Sequence, residues 1–355
     1  MTSNLGLALS EDKAFLILVE NDGYTVEEYP CTEFGVKNFE GCFSFTLENQ
    51  LYFGVQKTLY QFLKDQRKWE VLAYPMKVVR HGTACVSLKH GTIIAGGSES
   101  DGVMTPKLKD SCVLIRSVNN NLITTPVGKL PTKVKHHSLA KLSDNSFIMT
   151  GGIDVNGHET RGVYLGTLKC FRGETEDGTN EPSRDNFCVI WTKLPSMREY
   201  RSSHFSMFVN NRLHVFGGGL KRAEDHHVLE VNAMQCGLEI GAFAGMIIEI
   251  LPFKFKEKDQ FLVGERWERR YMKYDISFAS IVLSPDKKYG VIAGGEIYGY
   301  GARKYDNFHL TMNTRTLFLR SLQENDKSMH TNNVLKMILS CSCLTPMYDD
   351  IETEL

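Results

Sequence analysis

Four short apolar stretches, each closed by paired glycines, decide how this chain is read: Thr92-Ile93-Ile94-Ala95-Gly96-Gly97, Phe147-Ile148-Met149-Thr150-Gly151-Gly152, Leu213-His214-Val215-Phe216-Gly217-Gly218 and Gly290-Val291-Ile292-Ala293-Gly294-Gly295. Each follows an earlier apolar run and a polar turn. Thr83–Leu88 precedes Lys89-His90-Gly91, and Ser138–Leu142 precedes Ser143-Asp144-Asn145. His204–Val209 precedes Asn210-Asn211, and Ser277–Leu283 precedes Ser284-Pro285-Asp286. Two β-rich runs joined by Asn, Asp, Gly or Pro predict a hairpin. A polar loop and a third strand come next, at Cys112–Ser117, Val163–Leu168, Val228–Asn232 and Phe308–Met312. A fourth strand closes the unit, as in Ile190–Pro195. A recurring unit of four antiparallel strands predicts an all-β propeller, the glycines allowing close backbone approach near a crowded centre.

Other residues of the repeat carry a family resemblance. One unit holds Gly151-Gly152, Tyr164, Trp191, Leu194-Pro195 and Met197, then Arg198, Arg201 and His204. Trp69, Leu72, Pro75-Met76 and Arg80-His81 echo it upstream, as do Leu130-Pro131 and Lys135-His136-His137. This pattern resembles Kelch repeats in degenerate form over residues 40 to 322. The resemblance implies a Kelch-type β-propeller built of four-stranded antiparallel blades.

The glycine pairs lie 55, 66 and 77 residues apart, against a typical Kelch period of about 50. Insertions are therefore expected, at 171–187 as a polar surface loop and at 254–275, a charged stretch with Trp267, as a short helix or a long hairpin. Two weaker units precede the glycine pairs. One is Cys42–Leu47, Gln50–Val55, Thr58–Leu63 and Lys68–Ala73, with Gly54 in place of a pair. The other is Leu5–Ser10, Ala14–Glu20, Gly23–Tyr29 and Glu33–Asn38. The sum is six blades over residues 1–322, at roughly 4–40, 41–75, 81–131, 136–196, 202–252 and 276–322. Five follow if the first unit is something else, and seven if a further blade lies in 235–275. Residues 323–355 form a closing segment and an acidic tail. The ring must close or leave two open sheet edges. Leu5–Ser10 is the first choice of closing strand and Val334–Cys343 the second.

The formal charge of the 355 residues is -1, which gives no reason to expect a nucleic acid or membrane partner. No apolar run is long enough for a membrane span. The start, Met1-Thr2-Ser3-Asn4, lacks the pattern of a secretory leader. Nine scattered cysteines without a CxxC argue against a structural zinc site. The expected location is cytoplasmic, with the nucleus as alternative.

Catalytic signatures are sparse. His226-His227 beside Glu224 and Asp225 is the densest cluster of candidate ligands, but adjacent side chains on an extended segment point apart. No GxSxG, Walker loop or dinucleotide fingerprint occurs. No metal or cofactor is expected. His81, His136 and His204 read as equivalent repeat positions at the start of each first strand.

Function is therefore sought in loops held by a rigid scaffold. The resemblance implies that inter-blade loops and post-glycine loops share one face. The inter-blade loops are basic: Lys77 and Arg80, Lys133 and Lys135, Arg198 and Arg201, Lys254 and Lys256. The post-glycine loops add Lys107, Lys109, Arg161, Lys221, Arg222, Arg303 and Lys304, with Tyr298 as an aromatic contact. These residues predict a non-catalytic scaffold or adaptor for an acidic peptide or protein. The competing reading is a propeller-fold enzyme that acts on a sugar or uses a metal in the central channel. The terminal Glu352-Thr353-Glu354-Leu355 resembles a ligand of PDZ domains. The acidic tail could instead dock on the basic rim of its own or a neighbouring propeller.

Overall fold

A computed structural model of the chain describes residues 4–9, 13–19, 23–30, 43–48, 50–55, 58–63, 66, 68–72, 80–99, 107–119, 121–172, 185–218, 247–257, 260–271, 275–277, 280–283, 286–293, 296–298, 310–313, 319–321 and 344–347. The chain begins with β1 (Asn4–Leu9), β2 (Lys13–Val19) and β3 (Tyr24–Pro30), then β4 (Phe43–Leu47), β5 (Gln50–Val55), β6 (Thr58–Leu63) and β7 (Lys68–Leu72). Next come β8 (Arg80–His81), β9 (Ala84–Leu88), β10 (Gly91–Ala95), β11 (Ser98–Glu99), β12 (Lys107–Leu108), β13 (Ser111–Val118) and β14 (Asn121–Lys129). They are followed by β15 (Ser138–Lys141), β16 (Ser146–Thr150), β17 (Val163–Arg172) and β18 (Asp185–Lys193). The second half holds β19 (Phe205–Val209), β20 (Arg212–Phe216), β21 (Ile247–Glu257), β22 (Gln260–Val263) and β23 (Glu268–Tyr271). Last are β24 (Asp275–Ser277), β25 (Ser280–Leu283), β26 (Tyr289–Ala293), β27 (Glu296–Tyr298), β28 (Leu310–Asn313), β29 (Leu319–Ser321) and β30 (Leu344–Met347).

These strands pair as four-stranded antiparallel sheets: β4-β5-β6-β7, β9-β10-β13-β14, β15-β16-β17-β18, β25-β26-β28-β29 and β30-β1-β2-β3. A further sheet runs β19-β20-β21, with β22 and β23 both pairing to β21. The first strands lie side by side in chain order, and β30 lies beside both β4 and β25. The architecture is all-β and consistent with a propeller-like fold.

Burial follows strand position. First strands such as β4, β9 and β19 alternate buried and half-buried residues. The second strands β10 and β16 are buried throughout. A second strand carries neighbours on both faces, so its sequence reads as a continuous apolar run rather than an alternation. The core lies between consecutive sheets. Ile93 and Leu114 of one sheet pack with Phe147 and Met149 of the next. Ile148 and Val163 pack in turn with Leu213, Leu251 and Trp267.

Two expectations need correction here. The strand expected at Val228–Asn232 lies outside the described residues, and the third strand after Phe216 is β21. Residues 254–275 are not a simple insertion. β21 runs on through them as far as Glu257, β22 and β23 form its outer partner, and β24 starts at Asp275. Trp267 between these two pieces is buried, and its Nε1 donates to the Pro195 carbonyl at 2.9 Å. The β21–β22 pairing is the hairpin form of that expectation, and the buried aromatic with a satisfied N–H ties the segment into the core.

A third correction concerns closure. Leu5–Ala8 pair antiparallel with Leu344–Met347, so the C-terminal strand is the first strand of the N-terminal sheet. The candidate Val334–Cys343 and the expected strand Glu33–Asn38 lie outside the described residues. In the other sheets a first strand runs from the glycine end toward the hairpin turn, as Ala84 opposite Ala95 and Leu88 opposite Gly91 show. Leu344 opposite Ala8 and Met347 opposite Leu5 give β30 the same direction. The chain therefore passes Met347 at the hairpin end, away from the glycine end. The tail motif Glu352, Thr353, Glu354 and Leu355 lies outside the described residues.

Candidate functional site: a loop rim at the glycine end

The glycine pairs at 96–97 and 151–152 each bind their sheet to the next. Gly96 and Gly151 have φ of 63° and 57°, a left-handed conformation that favours glycine. A Cβ on Gly96 would stand 2.7 Å from the Val134 carbonyl, and one on Gly151 would stand 2.5 Å from the Arg201 carbonyl. The following glycines use this closeness: the Gly97 N–H donates to Val134 O at 2.9 Å and the Gly152 N–H to Arg201 O at 2.8 Å. Gly217 and Gly218 are also left-handed, while Gly294 and Gly295 lie outside the described residues.

Beyond the glycines the chain pairs with the segments that enter the first strands. Ser98 lies opposite both His81 and Leu108, and Ile153 bridges Lys135 and Glu159. Thr160 bridges Arg201. At these junctions the inter-sheet and post-glycine segments meet at one end and make a rim there.

A chain of backbone hydrogen bonds runs inside this rim. Gly82, His136 and Ser203 all have positive φ. The His136 N–H donates to Gly82 O at 2.7 Å, and the Ser203 N–H donates to His136 O at 2.9 Å. These three positions correspond, so His204 matches His137 and Thr83. The expected equivalence of His81, His136 and His204 is displaced by up to two residues for the first two. His204 Nε2 meets Thr150 Oγ1 at 2.8 Å, as Thr83 Oγ1 donates to Ala95 O at 2.7 Å. Burial pushes both His137 and His204 down to about 3, so both rings are neutral at ordinary pH.

Arg80 and Arg201 occupy matching positions and turn inward, which corrects their expected role as rim contacts. Arg80 is 9% exposed and Arg201 0%. Arg80 donates from Nη1 to Gly96 O at 3.4 Å and Ser111 O at 3.2 Å, and from Nη2 to Ser111 Oγ at 2.8 Å. Arg201 donates from Nη1 to Gly217 O at 2.5 Å and from Nε to Glu249 Oε2 at 3.1 Å. Each guanidinium satisfies the carbonyl of a first glycine, which the tight turn removes from the strand ladder.

Glu249 is the residue that reading the sequence missed. Its carboxylate is 0% exposed and accepts from Arg201, from the Arg198 N–H at 2.6 Å and from the Glu199 N–H at 3.3 Å. The loop from Arg198 to Arg201 is wound on this buried charge. A glutamate inside the apolar run Ile247-Ile248-Glu249-Ile250-Leu251 was the available signal, because a buried carboxylate needs a cation or several donors.

The outer rim keeps part of the expected cation set. Lys133, Arg161 and Arg198 are exposed and Lys135 is half-buried. The Arg161 guanidinium sits 5.3 Å from the ring centre of Tyr200. Nearby carboxylates are engaged within the protein. Glu199 pairs with Arg269, Glu99 with Lys109, and Glu159 accepts from Ser202 Oγ at 2.7 Å. The His158 and Asn156 amides hold the Asp154 carboxyl below its usual range. Lys77, Arg222 and Arg303 lie outside the described residues, and Tyr298 is placed only as the last residue of β27. Lys254 and Lys256 do not join the rim; they lie on β21 past Pro252, beyond the hairpin end. Among the described residues, no group of three or more His, Cys, Asp or Glu side chains is arranged to hold a metal ion.

No family model matches the sequence, and no curated protein matches it. Among solved structures, 226 chains match. One is the "Structure of YjhT", with a TM-score of 0.56 over 90% of this chain and 97% of that one. The chain has a propeller-like all-β fold. The sequence identity to YjhT is 11%, so the likeness speaks for the fold alone.

Proposed function

We propose that the chain is a six-bladed, Kelch-type propeller that serves as a non-catalytic scaffold, receiving an acidic segment of another protein on its glycine-end rim. The blade count is supported by the order of first strands, in which β4, β9, β15, β19, β25 and β30 are successive neighbours. The Kelch type is supported by where the repeat residues fall. Trp191 meets the Phe147 ring edge-on at 5.3 Å, and Leu194 and Met197 are buried in the core shared with the following sheet.

One observation carries the binding reading. Among the described residues, the rim's carboxylates are turned to partners within the protein, while Lys133, Arg161 and Arg198 stand exposed on loops fixed by buried struts. Preset loops lose little entropy on binding, and exposed cations steer an acidic partner. The test uses fluorescein-labelled poly-L-glutamate and anisotropy at low salt. The expected result is saturable binding that weakens as salt rises. The combined change Lys133→Glu, Lys135→Glu and Arg198→Glu should lower affinity by about tenfold or more, since reversing a charge replaces attraction with repulsion. Binding that ignores these three changes would place the acidic partner elsewhere.

A further inference from the structure

From the junction between the sheet of β15–β18 and the sheet of β19–β23 we infer that the rim selects acidic segments that carry an aromatic side chain, with Tyr200 and Arg161 as the selecting pair. This rests on the rim reading above and adds the chemistry of the partner. Tyr200 is 54% exposed, although a tyrosine that size is usually drawn into a core or an interface. The Arg161 guanidinium lies over its ring. Tyrosine and arginine dominate the energetic centres of protein interfaces, and both stack on incoming aromatic rings.

The surroundings make this pair rigid. The Met197 N–H donates to Arg161 O at 3.0 Å and the Arg201 N–H to Thr160 O at 3.0 Å, so the two loops run side by side. Glu249 holds the base of the loop that carries Tyr200 through the amides of Arg198 and Glu199. Charge at the junction favours an acidic visitor. Glu199 is neutralised by Arg269 and Glu249 by Arg201. Glu159, turned to Ser202, and Asp154, held by the His158 and Asn156 amides, are the two carboxylates set against Arg161, Arg198 and Lys135. Val155, on the post-glycine loop that also carries Arg161, is exposed as well. A partner with carboxylates alone would satisfy the cations and leave the ring of Tyr200 wet. One with an aromatic residue beside its carboxylates would fill both.

The experiment compares two labelled polymers of matched length on the full chain: poly-L-glutamate and a random 4:1 copolymer of glutamate and tyrosine. The inference expects the copolymer to bind more tightly by about three- to tenfold, the size of an aromatic pair contribution. Tyr200→Ala should erase that preference, while Tyr200→Phe should keep it. Equal affinity for the two polymers, or a preference that survives Tyr200→Ala, overturns the inference and leaves the rim reading standing. Failure of both polymers to bind overturns the rim reading and this inference with it.

Discussion

Glu249 and Arg201 are each fully buried and bond directly to one another. Replacing one partner of such a pair leaves the other charge in low dielectric without compensation. Glu249→Ala should therefore cost about 3–5 kcal/mol, measured by urea unfolding. A loss within about 0.5 kcal/mol, typical of a surface site, would mean that the loop is not wound on this carboxylate. The two buried histidines give a pH dependence. Both lie at about 3 in the folded protein, below the ordinary value of about 6.5. The folded state thus refuses protons that the unfolded chain accepts. Their contribution is fully present above about pH 6.5 and is lost as pH falls from there toward 3. The urea midpoint should drop between pH 7 and pH 4.5, and His204→Gln should make that slope shallower. Arg80 and Arg201 looked like rim cations in the sequence because both sit in polar, turn-rich stretches. What draws them inside is a bare glycine carbonyl and, for Arg201, a carboxylate 48 residues further on. Neither is visible without knowing which segments meet.

At the scale of strands, hairpins were the most legible features. The pairs β9–β10, β15–β16, β19–β20 and β25–β26 each join an apolar run to a glycine-ended one across a polar turn, and local turn chemistry suffices to mark them. The outer strands were harder. After Gly218 the sequence offers Val228–Asn232 at the usual spacing, yet the ladder is made by β21, which begins at Ile247. Spacing carries no information about which of two apolar runs pairs, since pairing is settled by burial of the whole strand. Trp267 tests the revised assignment. It belongs to the core shared with Leu194 and Met197, so Trp267→Ala should cost about 3–5 kcal/mol. The same change on a surface insertion would lie within about 0.5 kcal/mol, and such a result would return residues 254–275 to that role.

Across the whole molecule, the rim exists because successive sheets present the same end to the same side. The glycine pairs enforce this, and one substitution should show it. Gly151→Ala would put a Cβ against the Arg201 carbonyl at a φ of 57°, and a strained left-handed alanine costs upwards of about 1 kcal/mol before any clash. A fall in melting temperature is expected, and an unchanged one would show that the sheets do not rely on this approach. Ring closure was half legible. The first candidate, Leu5–Ser10, does take part, but its partner Leu344–Met347 is short, contains Pro346 and begins one residue after the second candidate ends. A four-residue strand with a proline has almost no signature of its own, and only the open edge of β1 gives it a place.

The closed ring is what turns separate loops into one rim, and a disulfide tests it most directly. Leu7 lies opposite Thr345 in the register of β1 and β30. Leu7→Cys with Thr345→Cys should form, on mild oxidation, a link within a single chain that peptide mapping identifies, and the oxidised protein should melt at a higher temperature than the reduced one. Absence of the 7–345 link, or its appearance only between two chains, would contradict closure by the C-terminal strand.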